Sequence, residues 1–217
     1  MIEENTRIPA GRVVLEGTLA VPHGARAMVV FAHGSGSSRF SPRNNFVARV
    51  LRERGLATLL FDLLTPEEDA VYENRFDIGL LTERLVAATQ WLRTQPKTKN
   101  LAIGYFGAST GSACALRAAA RLGEKIGAVV SRGGRPDLTG EDITRVRAPT
   151  LLIVGGNDFG VIQLNQSAYA ELKAEKRLEI VPGATHLFEE PGALEKVAEL
   201  AAEWFAEHLT GKRGRGV

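Results

Sequence analysis

A single cysteine, Cys114, stands in the 217 residues, so no disulfide can form within the chain. Isolated in this way it fits a reducing compartment. No apolar run approaches the ~20 residues that a membrane span needs. The opening MIEENTRIPAG carries acids where a secretory leader has a basic region and an apolar core. Residence in the cytoplasm, away from membranes, is therefore expected. Charge of one sign is lacking too: the net charge is +2, and the basic residues are scattered except in the closing GKRGRGV. That makes nucleic acid an unexpected partner and residues 210–217 a solvated, frayed tail. There is no His-Glu-x-x-His and no Cys/His cluster to hold a metal, and no Gly-Lys-Ser/Thr of a phosphate loop. Gly34-x-Gly36-x-x-Arg39 lacks the third glycine of a dinucleotide fingerprint. Neither a metal nor an organic cofactor is expected.

What is present is an ordinary globular composition, 44% hydrophobic and 24% charged, which excludes a disordered or fibrous chain. The length suits one domain with one sizeable core over 1–217. Apolar runs and amphipathic stretches alternate along it. Residues 12–21 end at Pro22 and read as one extended strand or a small hairpin at a sheet edge. AMVVF (27–31) and LATLLFD (56–62) read as inner strands, with a helix over 44–54 between them stopped by Gly55. TPEEDAVYENRF is a polar surface loop, after which Asp77 caps a long amphipathic helix. Strands are expected over 101–106, 126–131, 150–156 and 177–183, a short helix before Pro149, and helices over 112–122, 162–174 and 191–209. Such alternation predicts an α/β fold, a parallel or mostly parallel sheet with helices on both faces. The twenty or so residues between the strands at 126 and 150 leave no room for a lid.

One stretch organises the rest. In NLAIGYFGASTG, residues 100–111, a strand runs into a helix through Gly107-x-Ser109-x-Gly111. So sharp a turn leaves no space for side chains at i−2 and i+2. It pushes the Ser109 hydroxyl into solvent and places the Thr110 N–H, at a helix start, beside it.

A serine hydroxyl needs a base, and the base needs a group that fixes its tautomer. His186, in GATHLF just past the last strand, is the candidate base, whereas His23 and His208 read as surface residues. Asp158, in GGNDFG at the end of the preceding strand, is the candidate acid, with Asp137 as its rival on a longer tether. The order serine, acid, histidine is that of α/β-hydrolases. The second oxyanion donor is expected from the loop His33-Gly34-Ser35-Gly36-Ser37, namely the Ser35 N–H. His33, Gly34 and Arg39 in that loop are candidates for contacting a substrate, with Arg39, Arg43 and Arg132 the arginines that would select acidic ones. Cys114, five residues past Ser109 in an Ala-rich helix, is expected to be buried and inert.

With these residues in view, the chain resembles an α/β-hydrolase, and more narrowly the small lidless members of the dienelactone hydrolase-like family. The likeness rests on VVFAHGSGSSRFSPRN, GYFGASTGSACAL, LLIVGGNDFGV and VPGATHLF. Members of that family are known for a cysteine nucleophile, and here the position is Ser109. The resemblance thus implies a serine esterase of small acyl esters, with lactone or thioester hydrolysis, or a non-catalytic hydrolase-shaped module, as alternatives. A small-molecule ester is the partner expected of a monomer or homodimer.

Overall fold

A computed structural model describes residues 1–211. The tail expected from residue 210 onward falls mostly outside the described residues. Eight strands form one sheet in the order β1-β2-β4-β3-β5-β6-β7-β8. These are β1 (Ile2–Ala10), β2 (Val13–Val21), β3 (Ala27–Ala32), β4 (Ala57–Phe61), β5 (Ala102–Ala108), β6 (Ile126–Arg132), β7 (Thr150–Gly155) and β8 (Lys176–Val181). From β4 to β8 every neighbour pairs parallel, while β1 with β2 and β2 with β4 are antiparallel.

Side-chain alternation builds two cores from the same strands. In β3, Met28, Val30 and Ala32 face the layer made by α3 (Ile78–Leu92), α4 (Thr110–Leu122) and α5 (Phe159–Glu171). Ala27, Val29 and Phe31 face the opposite layer, α1 (Pro42–Glu53) and α6 (Ala193–Phe205). Strands covered on both faces read as continuous apolar runs, which is why the inner five were visible in the sequence. The same arrangement gathers the carboxyl ends of β3 to β7 at one rim, where α/β sheets place their ligands.

Five stretches differ from expectation. β1 was not foreseen: it pairs with β2 through a turn at Gly11 (φ +69°) and buries only Ile8 and Ala10. The polar stretch after β4 is helical, with α2 (Pro66–Asp69) capped reciprocally by Thr65 and Glu68 and a 3-10 turn over Tyr72–Phe76. α5 starts three residues early, at Phe159, directly after Asp158. α6 ends at Phe205 and continues as a wider turn, Ala206–Thr210. That turn lays the His208 ring edge-on against Trp204 at 4.2 Å, so His208 is largely covered, not a surface residue. The helix expected before Pro149 is a run of 3-10 turns over Pro136–Arg145, interrupted at Gly140. No lid rises between β6 and β7. No helix among the described residues is long and apolar enough to cross a membrane.

Candidate active site

Ser109 has φ +51° and ψ −122°, a conformation that L residues avoid and that costs of order 1–3 kcal/mol. Two glycines make it attainable. A Cβ on Gly107 would stand 2.5 Å from the Ser112 Cα, and one on Gly111 would collide with the Ala32 carbonyl. The turn is fastened to β6 from both sides: Ser109 N–H donates to the Arg132 carbonyl (3.1 Å) and Arg135 N–H to the Ser109 carbonyl (3.1 Å). The Ser112 hydroxyl donates to the same Ser109 carbonyl at 2.8 Å. Thr110 is the first residue of α4, where an N–H has no partner within the helix.

Asp158 and His186 are brought together. The His186 Nδ1 lies 2.6 Å from Asp158 Oδ2, although the residues are 28 apart in sequence. A carboxylate only accepts, so the proton sits on Nδ1 and Nε2 keeps its lone pair for a substrate or for Ser109. Asp158 occupies the N-cap of α5 without capping it, which leaves the carboxylate to the imidazole. The histidine loop is tied down by Asn157, whose N–H donates to the Ala184 carbonyl (2.9 Å) and whose side-chain amide donates to the Gly183 carbonyl (2.9 Å). The imidazole packs over Gly133, where an added Cβ would stand 3.4 Å from Nδ1. Gly133 directly follows the residue whose carbonyl holds Ser109. Serine and histidine thus both sit against the end of β6, with no hydrogen bond between them among the described residues. Asp137, the rival acid, is engaged locally by the Arg135 guanidinium at 2.9 and 2.7 Å.

The loop after β3 lies against the serine. A Cβ on Gly34 would come within 3.1 Å of the Ser109 Cβ. The Ser35 N–H, expected to be free for an oxyanion, donates to Thr110 Oγ1 at 2.8 Å, so the loop is latched to the residue after Ser109. Both ring nitrogens of His33 are engaged by the backbone. Its Nδ1–H donates to the Gly34 carbonyl (2.9 Å) and its Nε2 accepts the Leu63 N–H (3.0 Å), and burial holds its pKa below the usual imidazole value. Arg39 is not free either: Asp62 accepts both its backbone N–H (2.7 Å) and its guanidinium. Sequence reasoning missed Asp62 as the anchor of this loop. Its only signal was a position at the end of an inner strand. Arg43 pairs with Glu189 at 3.0 Å.

Around these groups the rim is apolar and exposed. Phe40, Tyr72, Phe76, Phe159 and Leu187 all lie in the segments that follow the carboxyl ends of strands, and Phe159 and Leu187 directly follow Asp158 and His186. Three groups able to share a metal, Glu175, Glu207 and His208, have ligand atoms within 4.8 Å of one another, but they lie at the opposite end of the sheet from Ser109. The site itself offers a nucleophile position, an oriented imidazole and backbone donors, which is equipment for attack on an acyl carbon.

Comparison with known proteins agrees with this architecture. A solved dienelactone hydrolase from Anabaena variabilis is 57% identical, covers 96% of this chain and 98% of its own, and superposes with a TM-score of 0.93. Est1E of Butyrivibrio proteoclasticus shares the fold at 18% identity, with 95% and 99% covered and a TM-score of 0.81. A curated protein of Mycobacterium tuberculosis, provisionally named a phosphoribosyl transferase, is 58% identical over 209 residues, 96% of this chain. Those residues are 47% of that relative, so the chain spans about half its length. The model of the dienelactone hydrolase family matches residues 15–210. With nine-tenths of its length matched, the chain belongs to the dienelactone hydrolase family.

Proposed function

We propose that the protein is a carboxylic-ester hydrolase acting through a serine acyl-enzyme. The observation that carries this reading is the 2.6 Å contact from His186 Nδ1 to Asp158, with the imidazole seated over the strand end that holds the strained Ser109. Ser109 Oγ attacks the acyl carbon as His186 Nε2 takes its proton. The Thr110 N–H receives the developing oxyanion, joined by the Ser35 N–H, which turns to the substrate from the Thr110 hydroxyl. His186 then protonates the leaving alcohol, and a water activated by the same nitrogen releases the acid. With no lid over the site, small acyl groups are favoured.

Phosphoribosyl transfer stands in the name of the Mycobacterium tuberculosis relative, whose other half this chain does not span. A second reading stays in view because of that half: a hydrolase-shaped module serving a partner domain. Two experiments decide. Wild-type protein should hydrolyse p-nitrophenyl acetate and butyrate faster than the decanoate, and Ser109→Ala should lower turnover by ~10⁴-fold or more. A fluorophosphonate should label Ser109 within minutes. A folded protein that neither turns over esters nor takes the label is the non-catalytic module.

A further inference from the structure

Arg132, the last residue of β6, is charged and only 5% exposed. Its side chain enters the layer of α1 and α6. One terminal nitrogen lies 3.5 Å from the Oδ1 of Asn44, a 2% exposed residue in the first turn of α1, and the guanidinium carbon lies 5.8 Å from the centre of the Phe188 ring. Nε is buried and has no partner. Burial, and then the charge of Arg43, push the guanidinium down to about 10. Arg43 has an orphaned, buried Nε of its own, and its carboxylate partner, Glu189, keeps a side chain that is 64% exposed.

Other arginines with covered heads have carboxylates: Arg39 has Asp62, Arg84 has Glu68 and Arg117 has Asp142. Here Arg43 neighbours Asn44, the residue Arg132 reaches, at a helix N-terminus with no acidic residue in its first turn. The end of a twelve-residue helix adds further positive potential. A buried cation so poorly satisfied costs several kcal/mol unless an anion meets it. The Nε atoms of Arg39 and Arg84 are orphaned too, so what sets Arg132 apart is a buried charge with no carboxylate on its head.

We propose that Arg132, Asn44 and Arg43 form a binding site for a small oxyanion, a phosphate or carboxylate group, at the N-terminus of α1. Planar guanidinium forks suit such groups, which accept two parallel N–H bonds. The site adjoins the catalytic centre without being part of it. The Arg132 carbonyl holds the Ser109 N–H, and Phe188, at φ +57°, is two residues past His186. An anion bound there would brace the histidine loop. Its source is either free in solution or a carboxylate carried by the substrate, and the second case rests on the ester-hydrolase reading above.

Thermal unfolding with inorganic phosphate, against sodium chloride of equal ionic strength, tests the site apart from catalysis. Tm should rise saturably with phosphate in the wild type and in Ser109→Ala, and Arg132→Met should abolish the rise. If Arg132→Met does not fold, Arg43→Gln, whose head is one-third exposed, should weaken the phosphate midpoint about tenfold. The source follows from p-nitrophenyl hemisuccinate compared with the neutral butyrate. A preference of about tenfold for the hemisuccinate, competitively inhibited by phosphate, makes the site a substrate subsite. Stabilisation by phosphate with no such preference makes it a site for a free anion. A wild type that phosphate stabilises no more than chloride does, and that does not favour the hemisuccinate, overturns the proposal. Loss of ester hydrolysis with the phosphate effect retained would sink the esterase reading alone.

Discussion

The division of labour between Asp158 and His186 is set by one proton. With a carboxylate on Nδ1 the proton must stay there, whereas an amide in its place can donate to Nδ1 and drive the proton to Nε2, where it blocks the base. Asp158→Asn should therefore leave the fold intact and reduce kcat by about 10⁴-fold, read from ester hydrolysis at saturating substrate. His33 gives a prediction about stability. Burial lowers its pKa in the folded protein from 6.5, and its Nε2 must stay unprotonated to accept the Leu63 N–H. Above pH 6.5 both states are neutral there, and the contribution is complete. As pH falls below 6.5 the unfolded chain binds the proton and the folded one resists it, so stability is lost, at up to about 1.4 kcal/mol per pH unit. Urea unfolding at pH 7.5 and 5.5 checks this: His33→Asn should be less stable at the higher pH and lose less on acidification than the wild type.

Among the elements, the strand-turn-helix around Ser109 tolerates least. Gly111→Ala would drive a methyl into the Ala32 carbonyl at the end of β3, and neither strand nor helix can retreat without parting from β6. We expect a loss of about 1–3 kcal/mol or more in denaturant unfolding, together with loss of turnover. β1 shows the opposite economy. Its fully buried Ile8 is one of the few core contacts the strand makes, so Ile8→Ala should cost about 2–5 kcal/mol, read from the urea midpoint. The same pattern explains why β1 was illegible in sequence. IEENTRIPA shows water most of one face and hides two residues near its end, so neither an apolar run nor a full alternation is present. α2 was overlooked for want of length, although the Thr65-x-x-Glu68 capping box was there to be seen. α5 buries only Asn165 and Ala168, so no apolar stripe marked where it begins. The inner strands and the serine turn were legible because the physics that forms them is local: apolar composition in the first case, and in the second glycines at fixed spacing.

Across the whole molecule, locality again separates what could be read from what could not. The motif order placed Ser109, Asp158 and His186 after the ends of β5, β7 and β8, and a parallel sheet then carries them to one rim. The latches that hold the site join residues far apart in sequence: Ser35 to Thr110 across 75 positions, Arg39 to Asp62 across 23, Arg132 to Asn44 across 88. No pattern in the chain announces such contacts, and side-chain chemistry alone left all three arginines as equal candidates for an acidic substrate. The charge balance of the whole separates them, since two have carboxylates and one does not.

Cys114 lies on the inner side of α4, wholly buried, and burial pushes its thiol up to about 12. With no thiolate and no access, a disulfide reagent should find the native protein inert. Labelling should then follow opening of the helical layer that carries α4, and its denaturant dependence should match that of global unfolding. Reaction at a rate independent of urea would mean that α4 opens by itself. A lone sulfur five residues from Ser109 thus gives the protein its own clock: the time it takes to colour the reagent measures how long the layer beneath the candidate site stays shut.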